Sequence, residues 1–238
     1  MDAVEMLTQF NLTRQEASIY IALLAEGNLN GYEAAKLTGI SRSNAYTSLA
    51  GLVEKGGAHV IEGPVTRYVP VSVEEFCQNK LRRLHETCEC LIRCIPSQRE
   101  EREGYITIKG RNNILDKMRN MVADAQKRVY LSAPKQIIET VLDDIKDAVK
   151  RDIKMVLITD EPLNLKDATV YLIEKPQQQI RLITDSSIVL TGDIDDSEYS
   201  TCLYSRKKNL VDVIKDSLKN EIRFIELTKG NNYEKNIC

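Results

Sequence analysis

The most confining stretch of the chain is residues 30–56, where two short helical segments are separated only by Gly39-Ile40-Ser41. Asn30 is placed to cap a helix over 31–37, and Gly39 supplies the left-handed stop that residues with a Cβ avoid. Ser41 then opens a further helix, about 42–55, closed by Gly56-Gly57. Two helices joined by so short a glycine-containing turn form a helix-turn-helix. Upstream, Thr13-Arg14-Gln15-Glu16 reads as a capping box, because the Thr hydroxyl and the Glu carboxylate can satisfy each other's free backbone N–H groups. The helix it starts carries Ala17, Tyr20, Leu23 and Leu24 at helical spacing and ends at Gly27. Downstream, Ala58-His59-Val60-Ile61, a Glu62-Gly63-Pro64 turn and Thr66-Arg67-Tyr68-Val69-Pro70 read as a β-hairpin. The order predicts a winged helix-turn-helix over residues 1–72.

Residues 73–103 predict one long helix, running from 73 to about 101 and weakened or ended at Pro96. Cys77, Leu81, Leu84, Cys88, Leu91 and Ile95 are spaced 4, 3, 4, 3, 4, the seam of a coiled coil. So narrow a stripe cannot be buried by one helix alone and implies a partner helix. A polar hinge follows at 98–104. From there the pattern alternates: strands at 105–108, 128–132, 153–159, 169–173, 180–184, 188–191 and 201–204, and helices over 112–125 and 136–150. A last helix spans 208–219, with a further extended apolar stretch at 222–227. The 153–159 strand is almost continuously apolar, as one covered on both faces should be. Residues 104–238 are therefore an α/β domain, and the whole chain an α+β multi-domain protein.

With 42% hydrophobic and 29% charged residues, the chain has the composition of an ordinary globular protein. It holds no Trp and 5% aromatics, which argues against an aromatic carbohydrate platform. The N-terminus lacks a signal peptide's basic start and apolar core, and no run is long and apolar enough to span a bilayer. The expectation is a cytoplasmic protein without membrane contact. The six cysteines, four of them within residues 77–94, read as reduced thiols rather than a disulfide scaffold. Residues 1–72 hold five Lys/Arg against seven Asp/Glu, so bulk charge does not argue for nucleic acid. Individual positions must.

On the 42–55 helix, Ala45, Leu49, Leu52 and Val53 share an inward face. Ser43, Thr47, Ala50, Gly51 and Glu54 lie opposite, with Asn44 and Ser48 on a flank and Arg42 in the first turn. Small polar groups suit a major groove of about 12 Å. Asn44 is suited to adenine, the Thr47 methyl to a thymine methyl, and Arg42 to guanine or phosphate. Ser41 can offer phosphate its hydroxyl or amide, and Arg67 on the returning wing strand is the expected backbone or minor-groove contact. Such a face also occurs as a merely solvated surface, and winged helices also serve as protein-binding adaptors.

Leu12-Thr13-Arg14-Gln15-Glu16-Ala17 with Tyr20, Gly39-Ile40-Ser41-Arg42-Ser43-Asn44-Ala45-Tyr46, Leu49-x-x-Leu52-Val53-Glu54-Lys55-Gly56 and Gly63-Pro64-Val65-Thr66-Arg67-Tyr68 resemble the N-terminal half of TrmB-family transcriptional regulators. Residues 104–238 resemble the phospholipase-D-like domain that follows in that family. The resemblance implies a dimeric regulator acting on double-stranded DNA at a pseudo-palindromic operator, and in some members a sugar effector. Ending at Cys238, the chain is expected to be a short form without the β-rich sugar-binding segment of longer members.

Phospholipase-D chemistry requires a His nucleophile and a Lys in an H-x-K-x4-D motif. The corresponding hairpin here reads Gln179-Ile180-Arg181 with Ser186 at the acid position, and His59 and His85 lie elsewhere. No catalytic residue, cofactor or metal is expected. His85-x2-Cys88-x-Cys90-x3-Cys94 cannot surround one ion, since on a single helix the 85/88 and 90/94 pairs face different ways. Thiol-based redox sensing stays open as an alternative. Gln179 and Arg181 are the expected site for a small polar or anionic effector, against the plainer possibility of an ordinary surface arginine.

Overall fold

The computed structural model describes residues 2–95, 104–173, 178–195 and 199–234, with side chains in the last helix described through 228. Its contacts divide the chain into two units, 1–98 and 99–238.

The first unit begins with α1 (Ala3–Gln9), α2 (Arg14–Glu26), α3 (Gly31–Thr38) and α4 (Arg42–Glu54). The hairpin β1 (Ala58–Ile61) and β2 (Arg67–Pro70) follows, and then α5 (Val73–Cys94). The capping box of α2 forms and Asn30 caps α3 as the sequence predicts, with Thr13 Oγ1 accepting from Glu16 N and Asn30 Oδ1 from Glu33 N, and Glu33 makes the second cap a box as well. Gly39 ends α3 in the left-handed region, φ 71°. The hairpin pairs Ala58 with Pro70 through Ile61 with Arg67. Tyr20, Ile19, Leu23, Leu49, Leu52 and Phe76 are fully buried together. Phe76 stacks tilted against Tyr20, with ring centres 5.4 Å apart, and Tyr20 Oη donates to the Val71 carbonyl at 2.7 Å. The root of α5 is thereby locked into the core of this unit.

The second unit is a seven-stranded sheet of order β3-β9-β8-β7-β4-β5-β6. Its strands are β3 (Tyr105–Lys109), β4 (Arg128–Ser132), β5 (Lys154–Thr159), β6 (Ala168–Leu172), β7 (Gln179–Thr184), β8 (Ile188–Asp193) and β9 (Thr201–Ser205). β4, β5 and β6 run parallel, and the remaining neighbours are antiparallel. One face packs on α6 (Arg111–Asp124), α7 (Lys135–Thr140) and α8 (Leu142–Lys150) through Ile114, Met118, Ile138 and Ile145. The other face is covered by α9 (Lys208–Glu234) through Val211, Leu218 and Ile225. Residues 180, 182 and 190 face the first layer while 158, 183 and 189 face α9, as alternation along strands requires.

Two helical expectations are corrected. The single helix expected over 136–150 is two helices, because the fully buried Val141 leaves helical geometry at φ −118°, ψ 17°. The extended stretch expected at 222–227 is helix, continuous with 208–219. Ile222 and Ile225 continue the spacing of Val211, Ile214 and Leu218, and packing against the sheet overrides the β-propensity of the isoleucines. α5 is described to Cys94, with Ile95 just beyond, and the polar hinge at 98–104 lies outside the described residues apart from Gly104.

Candidate nucleic-acid interface

α4 buries Ala45, Ser48, Leu49 and Leu52 and exposes Arg42, Ser43, Asn44, Tyr46, Thr47, Ala50 and Glu54. Ser41 Oγ caps the helix by accepting from the Asn44 amide at 3.4 Å, and Thr47 Oγ1 donates back to the Ser43 carbonyl at 3.1 Å. The Arg42 guanidinium sits 4.5 Å from the Tyr32 ring centre, a cation–π contact. The helix is pinned from behind at Gly51, where a Cβ would collide with the Glu16 carboxylate. That carboxylate also accepts from Lys55 Nζ at 2.6 Å and from the Thr13 amide at 2.7 Å. Burial raises the Glu16 carboxyl, but the Lys55 ammonium and the Thr13 donors outweigh it, so it lies below the ordinary glutamate range.

Three sequence expectations are corrected for the DNA-reading face and the wing. Ser48 is buried and cannot meet a groove. Gly51 faces α2 rather than outward. Arg67 braces the wing root instead of reaching away from it: its Nε donates to Asn28 Oδ1 at 2.8 Å, and its Nη2 to Asn28 O and Glu33 Oε2, both at 3.1 Å. Sequence reasoning also passed over exposed aromatics beside α4. Tyr46 is half exposed and lies over Gly31, where a Cβ would collide with its ring, and Tyr32 is equally exposed under Arg42. The signal available was position: Tyr46 follows the inward Ala45 by one residue and so leaves the core face.

Along α5, Cys77 packs against the core of its own unit rather than standing free in a seam. The other predicted seam residues, Leu81, Leu84, Cys88, Leu91 and Ile95, are exposed. The Sγ atoms of Cys90 and Cys94 stand 3.7 Å apart. Among the described residues no cluster of three His, Cys, Asp or Glu is arranged to hold a metal, and no helix is long and apolar enough to cross a membrane.

In the second unit Arg181 is already engaged. Its Nη1 donates to Ser217 Oγ at 2.9 Å, and its Nη2 to Glu221 Oε2 at 2.7 Å and Ser132 Oγ at 3.3 Å. Both charged side chains are nearly covered, 14% and 13% exposed. The ligand role expected of Arg181 is corrected on this ground: its charge is neutralised beneath α9. Gln179 is half-buried opposite Asp193. A separate polar cavity of about 280 Å³ opens past the carboxyl ends of β4 and β5, lined by Arg111, Gln136, Asp160, Glu161, Gln178 and Asp195 with Pro134, Ile137 and Ile194. This is the position at which open α/β sheets commonly receive ligands. Asp160 accepts from the Lys135 amide at 2.8 Å. Burial raises its carboxyl, and backbone amides including that of Lys135 bring it below the ordinary aspartate range. Both histidines, His59 in β1 and His85 in α5, belong to the first unit.

A winged helix-turn-helix, a long helix and an α/β domain follow one another in that order along the chain. Residues 7–74 match the family described as sugar-specific transcriptional regulator TrmB. Residues 104–217 match the N-terminal subdomain of the TrmB effector-binding domain. The chain belongs to the TrmB family. It is 34% identical over 118 residues to the uncharacterized protein YrhO of Bacillus subtilis (strain 168), a match covering 48% of this chain and 43% of that one. The chain thus matches less than half the length of this relative. Among solved structures it is similar to TrmBL2, an archaeal chromatin protein with a novel mode of DNA binding, at 23% identity and TM-score 0.47, covering 93% of this chain and 97% of that one. It is also similar to NucT from Helicobacter pylori, at 15% identity and TM-score 0.44, covering 51% of this chain and 97% of that one.

Proposed function

We propose that the chain is a cytoplasmic, dimeric, non-catalytic regulator that reads a pseudo-palindromic DNA operator and is modulated by a small polar ligand. The observation that carries this reading is the exposed face of α4. Arg42, Ser43, Asn44 and Thr47 lie together on the leading half of the second helix of the motif, with a capped N-terminus that offers free amides to phosphate. In this reading Asn44 and Thr47 meet base edges, Tyr46 and Arg42 flank them, and Arg67 holds the wing in place. Leu81, Leu84, Leu91 and Ile95 pair with the same residues of a second copy, setting two heads at fixed spacing. The ligand occupies the 280 Å³ cavity, whose carboxylates and amides suit a hydroxylated molecule.

Selection of bound fragments from random duplexes by the purified chain tests the DNA reading, followed by fluorescence anisotropy at about 50 and 200 mM salt. A recurrent two-fold-related sequence and a steep loss of affinity with salt are expected. Absence of binding at low salt overturns the reading in favour of a protein-binding adaptor.

A further inference from the structure

The face of the sheet covered by α9 gathers cations on adjacent elements, and they are not equivalent. Arg181 of β7 is accounted for by Glu221 and two hydroxyls. Arg128 of β4 and Lys215 of α9 have no ion pair among the described residues. Both line a cavity of about 110 Å³ between β4, the turn after β7 and α9. Tyr130, Ser186 and Lys219 complete its polar wall, and Ile183 and Leu218 its apolar one. The hydroxyls of Tyr130 and Ser186 make no hydrogen bond among the described residues.

The acids beside this cluster are hydrogen-bonded or ion-paired to other groups. Asp185, next to Ser186 in the turn, accepts from the backbone amides of Gln126, Lys127 and Arg128 at 2.8–3.0 Å. Those amides bring it below the ordinary aspartate range although burial raises it. Asp216 faces Lys219 at 3.1 Å. Arg128, at the exposed start of β4, and the half-buried Lys215 thus present two cations without an ion pair to one partly apolar cavity.

We propose that this cavity binds a phosphate group, carried either by free phosphate or by a small phosphate monoester. A phosphate carries about 1.5–2 negative charges near neutral pH and several acceptor oxygens. That matches the charges of Arg128 and Lys215 and the donors on Tyr130 and Ser186. With liquid water taking about 30 Å³ per molecule, the cavity has room for roughly four waters, enough for a phosphate with any ester group leaving through the open side. The bound anion bridges β4 to the first half of α9 and so clamps that helix to the sheet. This site is distinct from the 280 Å³ cavity and does not depend on the DNA-binding reading.

The test is calorimetric melting of the full chain in inorganic phosphate, against potassium chloride at matched ionic strength, with affinities from 31P NMR titration. Phosphate is expected to raise the melting temperature by a few degrees in a saturable way that chloride does not reproduce. Glycerol 3-phosphate run in parallel separates the sources: tighter binding than phosphate assigns a monoester, equal or weaker binding assigns the free ion. In Arg128→Gln/Lys215→Gln the affinity should fall at least tenfold, while Lys150→Gln, on α8, responds like the wild type. Equal shifts in chloride and phosphate, or an undiminished response in the double variant, overturn the proposal. If the double variant does not fold, Tyr130→Phe carries the test: it should bind phosphate several-fold more weakly, and unchanged affinity overturns the proposal.

Discussion

α5 and α9 carry nearly the same apolar rhythm and come to opposite ends. In α9, Val211, Ile214, Leu218, Ile222 and Ile225 recur every three or four residues and pack on the sheet of their own unit, with Val211, Leu218 and Ile225 buried. In α5, Cys77, Leu81, Leu84, Cys88, Leu91 and Ile95 repeat in the same way, yet beyond Phe76 and Cys77 the stripe is open, with Leu84 63% exposed. The spacing says that one edge of a helix is apolar; it does not say what covers that edge. α9 is set down on the sheet because Ile158, Ile183 and Val189 offer an apolar face that accepts its stripe. α5 leaves the core of its unit after one turn, and burying each of its leucines is worth about 1.5–3 kcal/mol, so in our reading a second copy covers it.

The largest expected effect breaks this comparison at α5. Replacing Leu84 and Leu91 with Asp should convert dimers to monomers in light scattering and lower operator affinity at least a hundredfold, since two half-sites are no longer engaged together. A double variant that remains dimeric moves the interface elsewhere, most simply onto the second unit. The counterpart in α9 behaves differently if its stripe is a core. Leu218→Ala should cost about 2–5 kcal/mol of stability by denaturant unfolding and leave the oligomeric state unchanged. A change in oligomeric state instead would show that α9 also serves association.

Smaller effects sharpen the contrast within the head. Asn44→Ala and Thr47→Ala should each narrow the gap between operator and random duplex by about 1–3 kcal/mol per base read. Ser48→Ala, at a buried position, should act on stability alone. Equal losses on both duplexes for Asn44 and Thr47 would place the groove contacts on another surface. Arg67→Ala should lower the stability of the head, with Asn28 losing its donor and Glu33 keeping only the Asn30 amide, before it alters any sequence preference.

The smallest effect concerns acid. Glu16 is held below the ordinary glutamate value, so its contribution to folding is present above that value and lost as pH falls through the lower, folded-state one. Lys55→Met removes the largest of its stabilising partners and should flatten the acid side of the head's stability profile, followed by near-ultraviolet circular dichroism of its tyrosines. An unchanged acid profile would mean that the Glu16–Lys55 contact contributes nothing net, as many ion pairs do.

The head was legible because its signals are local. Thr13 and Glu16, Asn30 and Glu33, and the left-handed Gly39 act within three or four residues of themselves. A reader of the chain can therefore place α2, α3, α4 and the hairpin without knowing the core. The candidate site was legible only as a face: Ser43, Asn44 and Thr47 lie outward as the helical period requires, and the exposed aromatics Tyr32 and Tyr46 went unread because aromatic residues are more often core.

What escaped the sequence was set by distant partners. Arg67 meets Glu33 across 34 positions and Arg181 meets Glu221 across 40, and each pairing turns an arginine that reads as a ligand group into part of the framework. Likewise the apolar run at 222–227, which reads as strand on its own, is helix because the sheet face built by Ile158, Ile183 and Val189 accepts the 3–4 spacing and not the alternating one. Hydrogen-bond spacing and backbone dihedrals are properties of neighbours in the chain, so the sequence by itself determined most of the elements and their order, the break at Val141 and the helix over 222–227 excepted. Which charges are spent and which remain open, as at Arg128 and Lys215, is a property of neighbours in space, and only the tertiary structure decided it.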